Sequence, residues 1–460
     1  MMPPLSMRVP QLSKTRFLSG LQCEKRLYFE SYYPGLATPF DAATRARLDE
    51  GRRVGELARR RFAGGWLVAH DNVHHREAEL ETRWKMADPS VPAVYEAAFT
   101  HADVRVRADV LVRAPDGAFD LIEVKASTGV RPVHEPDLAV QLYVLEGAGV
   151  RIRRAGLMHL NRDYIYMGGA HDLSGLFAIT DLTDSARAMR PLIGERLALL
   201  RAGLAHGDPP LRAPGEQCWE PYECPFVAHC GAERPSRSFA DPPNEGARDG
   251  IRYVDPAIHG ALAGAAFPIH FLDFETFMPA IPLYAGTRPY ETIPFQWSDH
   301  VLDARGELSH REYLHDGDGD PRRRFAETLI EALGAEGAIV VYTAYEERCI
   351  RALEQALPDL APALAAVRGR LFDIHRVIRS HVYEPAFNGS FSLKAVLPAL
   401  VPGLGYDDLA IRDGRLASVT YGEIVRGESA DGRRAELRDQ LLAYCQRDTL
   451  AMLELYRTLR

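Results

Sequence analysis

Apolar and polar residues alternate on either side of a Pro-Asp-Gly turn in 104–126, VRVRADVLVRAPDGAFDLIEVKA, and this period of two predicts an antiparallel hairpin. Centring the turn on Asp116 sets Asp109 opposite Glu123, and the strand period puts Glu123 and Lys125 on one face. Helical patterns flank the hairpin: GRRVGELARRRF carries Glu56, and DLAVQLYVLE carries Gln141 and Tyr143. Further along, PIHFLDFETF at 268–277 reads as a buried strand with Asp273 and Glu275 on one face. GAIVVYTAYEERCI predicts a strand running into a helix that starts at Glu346, where the helix dipole favours negative charge. In RDQLLAYCQRDTLAMLELYRTL a long amphipathic helix sets Tyr444 and Asp448 on one face. Between these blocks, residues 231–268 are rich in Pro, Gly and charge, so the chain divides into domains 1–232 and 267–460 joined by a linker over 233–266.

With 460 residues, 46% of them apolar, each half is long enough to bury its own core, in an α/β arrangement. No stretch reaches the roughly 18 apolar residues of a membrane helix, and the start lacks a secretory pattern, so a cytoplasmic protein with no membrane partner is expected. A net charge of −8 provides no general attraction for nucleic acid. Any such partner must meet local patches, for which Arg52, Arg53, Arg59, Arg60 and Arg61, and Arg322, Arg323 and Arg324, are candidates; the blander reading is a solvated helix face.

Two carboxylates facing each other across a ladder repel unless a cation lies between them, and oxygen ligands suit magnesium or manganese. The spacing of Asp109 and Glu123-Val124-Lys125 resembles the PD-(D/E)XK nucleases. That resemblance implies that Asp109 and Glu123 hold a divalent ion and that Lys125 orients the attacking water or stabilises developing charge. RecB-like members of the superfamily further imply an acid at Glu56, and a glutamine and a tyrosine near the site at Gln141 and Tyr143. A solvated carboxylate and a surface amide are the plain alternatives for Glu56 and Gln141.

The six cysteines, in a chain without a secretory start, point to thiols or metal ligands rather than disulfides. Cys218, Cys224 and Cys230 are evenly spaced, Cys23 lies far upstream, and Cys349 and Cys445 sit in apolar sequence as core thiols. No pair has the tight spacing usual for structural zinc, whereas four thiolates suit an iron–sulfur cluster. The arrangement is similar to the iron–sulfur-stapled RecB-like nucleases, which implies a 4Fe-4S cluster on Cys23, Cys218, Cys224 and Cys230, with zinc as the alternative.

A strand D-x-E, an acid after a second strand and a helical Y-x-x-x-D resemble, in that order, the DEDD exonucleases of the RNase H-like fold. The resemblance implies that Asp273, Glu275 and Asp448 bind magnesium or manganese, that Glu346 stands where an aspartate is usual, and that Tyr444 positions the attacking water. Ser392 and Lys394 are candidate backbone contacts, with a helix cap as the plainer role for Ser392. The spacing of Asp316, Asp318, Asp320 and Glu327 mimics a calcium loop, but Pro321 stands where that loop needs glycine. The expectation is a PD-(D/E)XK domain followed by an RNase H-like domain, hydrolysing phosphodiesters of DNA at two separate sites, with RNA as the rival substrate. The alternative is a scaffold that binds nucleic-acid ends.

Overall fold

Why Asp109 and Glu123 meet follows from how seven strands share one sheet in the first unit. They are β1 (Leu12–Ser13), β2 (Trp66–Leu67), β3 (Ala93–His101), β4 (Val104–Arg113), β5 (Phe119–Lys125), β6 (Ile152–Leu160) and β7 (Phe177–Asp181), ordered β2-β3-β4-β5-β6-β7 with β1 on β4. This computed structural model describes residues 9–71, 73–232, 251–427 and 430–460, which fall into two compact units, Met1–Arg234 and Pro235–Arg460, each of mixed α/β structure. The β4–β5 hairpin pairs Val112 with Asp120 and Val110 with Ile122, the register its turn predicts, and its ladder ends there. Past that point β1 runs parallel to β4 at Val104 and Arg105. Helix Lys14–Gln22 follows β1 directly, its first turn capped by the Ser13 side chain, which accepts from the Arg16 N–H at 3.2 Å. Helix His134–Gly147 is apolar nearly all round and is correspondingly buried.

Early and late parts of this unit are laced together. Tyr28 donates to the Gly207 carbonyl at 2.6 Å, Tyr32 to Leu204 at 3.0 Å, and Gln22 to Gln217 at 2.8 Å. Leu27, Phe17 and Leu200 belong to the same buried cluster, and each large apolar side chain so buried contributes about 1.5–3 kcal/mol.

In the second unit the strands are β8 (Tyr253–Val254), β9 (Ile269–Phe277), β10 (Ile293–Leu302), β11 (Leu308–Leu314), β12 (Ala338–Val341), β13 (Leu371–Asp373) and β14 (Val382–Tyr383). Five make one sheet in the order β11-β10-β9-β12-β13; β9, β10 and β11 are antiparallel, while β12 runs parallel to β9 and β13 to β12. Alternation along β9 sends Leu272 and Phe274 into one core and Ile269, Phe271 and Phe277 into another, which the 29-residue helix Asp431–Leu459 covers. Asp273 and Glu275 share the parity of that second set and so face the long helix. Stacking of Phe295 on Tyr421, 3.8 Å between ring centres, fixes helix Gly414–Val425 against the sheet, and a 2.9 Å bond from Gln296 to the Leu441 carbonyl fixes the long helix.

The expected linker is shorter than its composition suggests. Of 233–266, residues 233–250 lie outside the described residues, but 251–266 belong to the second unit. There β8 pairs with β14, and helix Ile258–Leu262 buries Ile258 and Leu262 in the core. Those two apolar residues sit at helical spacing, a signal hidden among the glycines around them.

Candidate functional site

Two acid clusters emerge, one per unit, and they differ in how their charge is balanced. In the first, the β4–β5 ladder opens just where Asp109 and Glu123 would pair. Asp109 Oδ2 there accepts the Val124 N–H at 2.7 Å, standing in for a backbone carbonyl. Glu123 is buried; its Oε1 accepts from Lys125 at 2.7 Å and from Lys14 at 2.8 Å, and its Oε2 from Gln141 at 2.7 Å. Asp137, one helical turn before Gln141, takes Lys14 on Oδ1 at 3.0 Å and Lys125 on Oδ2 at 2.5 Å. Two ammonium groups thus face two carboxylates. Burial would push Glu123 up, but Lys125 and Lys14 outweigh it and hold this carboxyl well below its usual range. Burial also pushes both lysines down, yet Glu123 and Asp137 raise each above its ordinary value. Asp109 has no such partner among the described residues, and burial with the neighbouring Glu123 charge lifts it to about 8.

Of the residues expected here, Asp109, Glu123, Lys125 and Gln141 come together, while Lys14 and Asp137 join without having been anticipated. Glu56 does not join. Helix Ala42–Arg59 turns Val54 and Ala58 inward, and a residue two places from each points elsewhere, so Glu56 is exposed. Tyr143 packs on the His101 ring, 5.3 Å between centres, rather than on the carboxylates.

In the second cluster β9 supplies Asp273 and Glu275, and the long helix supplies Tyr444, Cys445 and Asp448. Helix Tyr345–Ala356 supplies Glu346 from its first turn, after a bend in which Thr343 adopts a positive φ of 85°. Ligand atoms of Asp273, Glu275 and Cys445 all lie within 4.8 Å of one another, so this group can hold a metal ion. Burial comes first, and mutual repulsion second, in pushing Asp273 and Glu275 far above the carboxylate range. Glu346 is raised to about 8 by burial, with the Asp373 and Asp448 charges adding, and its Oε2 has no hydrogen-bond partner among the described residues. Asp448 is raised by burial to about 6, held there by hydrogen bonds from Tyr406 and Tyr444. Cations nearby are committed elsewhere: Arg447 pairs with Asp408 at 2.7 Å, and Lys394 donates to the Arg412 carbonyl while lying 5.2 Å from the centres of the Tyr406 and Tyr444 rings. Cys445 and Tyr406 are therefore members that sequence reasoning missed. The apolar sequence around the first predicts a core thiol; the second lies in a loop with no motif.

Cys23, Cys218, Cys224 and Cys230 line one recess with Lys25, Arg26 and Arg212. Among the described residues no three of their sulfurs lie within 4.8 Å of one another. Burial raises the Cys224 and Cys230 thiols, and the charges of Arg26 and Lys25 respectively oppose the rise. Cys349 is buried in the core, as expected. Ser392 precedes helix Leu393–Leu400 without a side-chain capping bond, and His375 packs between Tyr342 and Phe391.

The candidate basic patches are largely neutralised. Arg322 pairs with Asp320 at 2.7 Å, Arg323 with Asp359 at 2.8 Å and Arg324 with Glu327 at 3.8 Å; Arg59 lies 3.7 Å from Glu96, and Arg61 donates to the Phe177 carbonyl. Pairing with Arg322 and Arg434 likewise ties down the acidic turn at Asp318 and Asp320. Among the described residues no helix is long and apolar enough to cross a membrane.

Comparison with known proteins adds a partial match. The family described as Domain of unknown function (DUF2779) matches residues 270–392, a stretch that contains Asp273, Glu275 and Glu346 but stops short of Tyr444 and Asp448. No curated protein matches. A crystal structure of SSO0001 is similar at 16% identity with a TM-score of 0.24, over 49% of this chain and 87% of that one.

Proposed function

We propose that the chain is a metal-dependent nuclease acting on DNA, with its principal hydrolytic site in the second unit. The observation that carries this reading is the group of four carboxylates, Asp273, Glu275, Glu346 and Asp448, three of them buried and none ion-paired among the described residues. Like charges held this close in a low-dielectric site demand either protons or cations. A bound magnesium or manganese ion would polarise the phosphate and lower the pKa of its water. Asp273, Glu275 and Asp448 would hold it, Tyr444 would orient the water beside Asp448, and Lys394 would supply positive charge at the mouth. The five-stranded order, with β9 central, β10 and β11 antiparallel on one side and β12 and β13 parallel on the other, supports an RNase H-like reading of this unit.

The first unit reads as a PD-(D/E)XK-like domain, supported by the hairpin that brings Asp109, Glu123 and Lys125 together. Its four cysteines fit an iron–sulfur cluster better than a single zinc ion. Tetrahedral zinc at about 2.3 Å from each sulfur needs sulfurs closer together than these are, whereas a cluster spreads its ligands and the neighbouring Lys25, Arg26 and Arg212 offset its thiolate charge. Such a cluster would be structural, binding early and late segments of the unit. A scaffold role for the first unit is favoured by one observation, that Lys14 and Lys125 already neutralise Glu123 and Asp137.

The test is degradation of end-labelled single- and double-stranded DNA and RNA, with and without manganese, by anaerobically purified wild type, Asp273→Ala and Lys125→Ala. Expected is metal-dependent cleavage of DNA that Asp273→Ala abolishes. Wild type that binds but cuts nothing under any metal overturns the nuclease reading, and cleavage confined to RNA overturns the substrate.

A further inference from the structure

We infer that the Lys14 ammonium occupies the cation position of the Asp109–Glu123 site, so that a divalent ion binds there only once Lys14 has left. The inference rests on reading Asp109 and Glu123 as ion ligands, but not on any hydrolysis by the chain.

The acid–lysine element of the hairpin needs one lysine, and Lys125 is that residue. Lys14 is a second cation, brought from far away in sequence by the pairing of β1 with β4, and held at the first position of a capped helix. Its side chain is 19% exposed, so it is not a mobile surface lysine that happens to rest on an acid. Its ammonium touches Glu123 Oε1 at 2.8 Å and Asp137 Oδ1 at 3.0 Å, bridging the same two carboxylates that Lys125 bridges at 2.7 and 2.5 Å. With Gln141 on Glu123 Oε2 and the Val124 N–H on Asp109 Oδ2, three of the four carboxylate oxygens of Asp109 and Glu123 already accept a hydrogen bond. A divalent ion placed among them would meet two ammonium groups on Glu123 and find the Glu123 and Asp137 charges already matched. In the second unit the acids have no such partner among the described residues, and Lys394 lies over aromatic rings. The two clusters therefore differ in their demand for metal, and Lys14 is the residue that makes the difference.

The experiment uses the full chain carrying D273N and E275Q, which removes ion ligands of the second unit, titrated with Mn2+ while free Mn2+ is followed by electron paramagnetic resonance. In this parent, no Mn2+ site sensitive to E123Q is expected. Adding K14M creates one site at least about tenfold tighter than any in the parent, adding E123Q to K14M removes it, and K14R, which keeps the charge, leaves the parent behaviour unchanged. An E123Q-sensitive Mn2+ site already present in the parent, or a folded K14M protein that gains none, overturns the inference. Should K14M fail to fold, the parent titration decides alone. Because binding is read with the second site disabled, failure here leaves the nuclease reading of the second unit to its own assay.

Discussion

Glu346 is the residue on which the pH behaviour of the second unit turns. Its ordinary value is 4.5 and its folded value about 8, so the folded chain holds this proton the more tightly. The stability it contributes is complete below about 4.5 and is lost as pH rises through 8. Asp448, raised to about 6, behaves alike over a lower window. The metal-free protein should therefore lose stability between pH 5 and 8, and an ion, which replaces those protons, should restore it. The rise in Tm on adding Mn2+ is expected to be larger at pH 8 than at pH 6 by at least about 3 °C, measured by differential scanning calorimetry; an equal rise would show that the acids do not share their protons with the ion site. A second expectation concerns Tyr444. Tyr444→Phe should lower the cleavage rate about a hundredfold while leaving Mn2+ affinity within about twofold, since the phenol acts on water and not on the ion. Single residues were unevenly legible. Strand parity alone placed Asp273 beside Glu275, and helical spacing placed Tyr444 beside Asp448. Lys14 and Tyr406 carried no local signal, because what brings each to its cluster is a contact across the fold, whereas Asp137 stands four residues before Gln141 on one helix, a spacing that could have marked it.

At the scale of elements, the first cluster is built where a ladder stops, while the second stands on regular structure, with Asp273 and Glu275 inside the β9–β10 ladder. The β4–β5 ladder ends one pair before Asp109 and Glu123, which leaves the Val124 N–H to the Asp109 carboxylate, while β5 stays paired to β6 through Lys125. In the second unit β13 ends at Asp373, whose carboxylate caps the following helix by accepting from Arg376 N at 3.2 Å and also receives the Thr343 N–H at 3.3 Å. One side chain thus holds two turns, including the strained bend before Glu346. Asp373→Ala is expected to destabilise the second unit by about 1 kcal/mol or more, read from urea denaturation, whereas Asp373→Asn should keep the cap and lower the Glu346 pKa, read by carboxyl carbon NMR. Turn chemistry and alternation made the hairpin readable, down to its register. The helix at Ile258–Leu262 was not, since two apolar residues in a glycine-rich stretch make too short a pattern to outweigh the composition around them.

For the whole molecule, the four cysteines are the feature with the widest reach. If the proposed cluster is bound, Cys218→Ser should abolish its visible absorbance and accelerate amide hydrogen exchange across residues 9–232, leaving 251–460 unchanged in mass spectrometry; equal protection in both forms would remove the structural role. The division of the chain into two units was legible from composition, and so was the grouping of the cysteines, because each rests on residue type. What sequence could not convey was the lacing of Gln22, Tyr28 and Tyr32 onto residues about two hundred places later. That lacing sets the order of events at the ribosome. The first helices emerge early, yet their partners come late in the same unit, and at roughly 5–20 residues per second they wait on the order of ten seconds or more with Phe17, Leu27 and Tyr28 uncovered. Closure of this unit is therefore late and non-local, the situation in which folding is slow and a nascent chain depends most on being shielded.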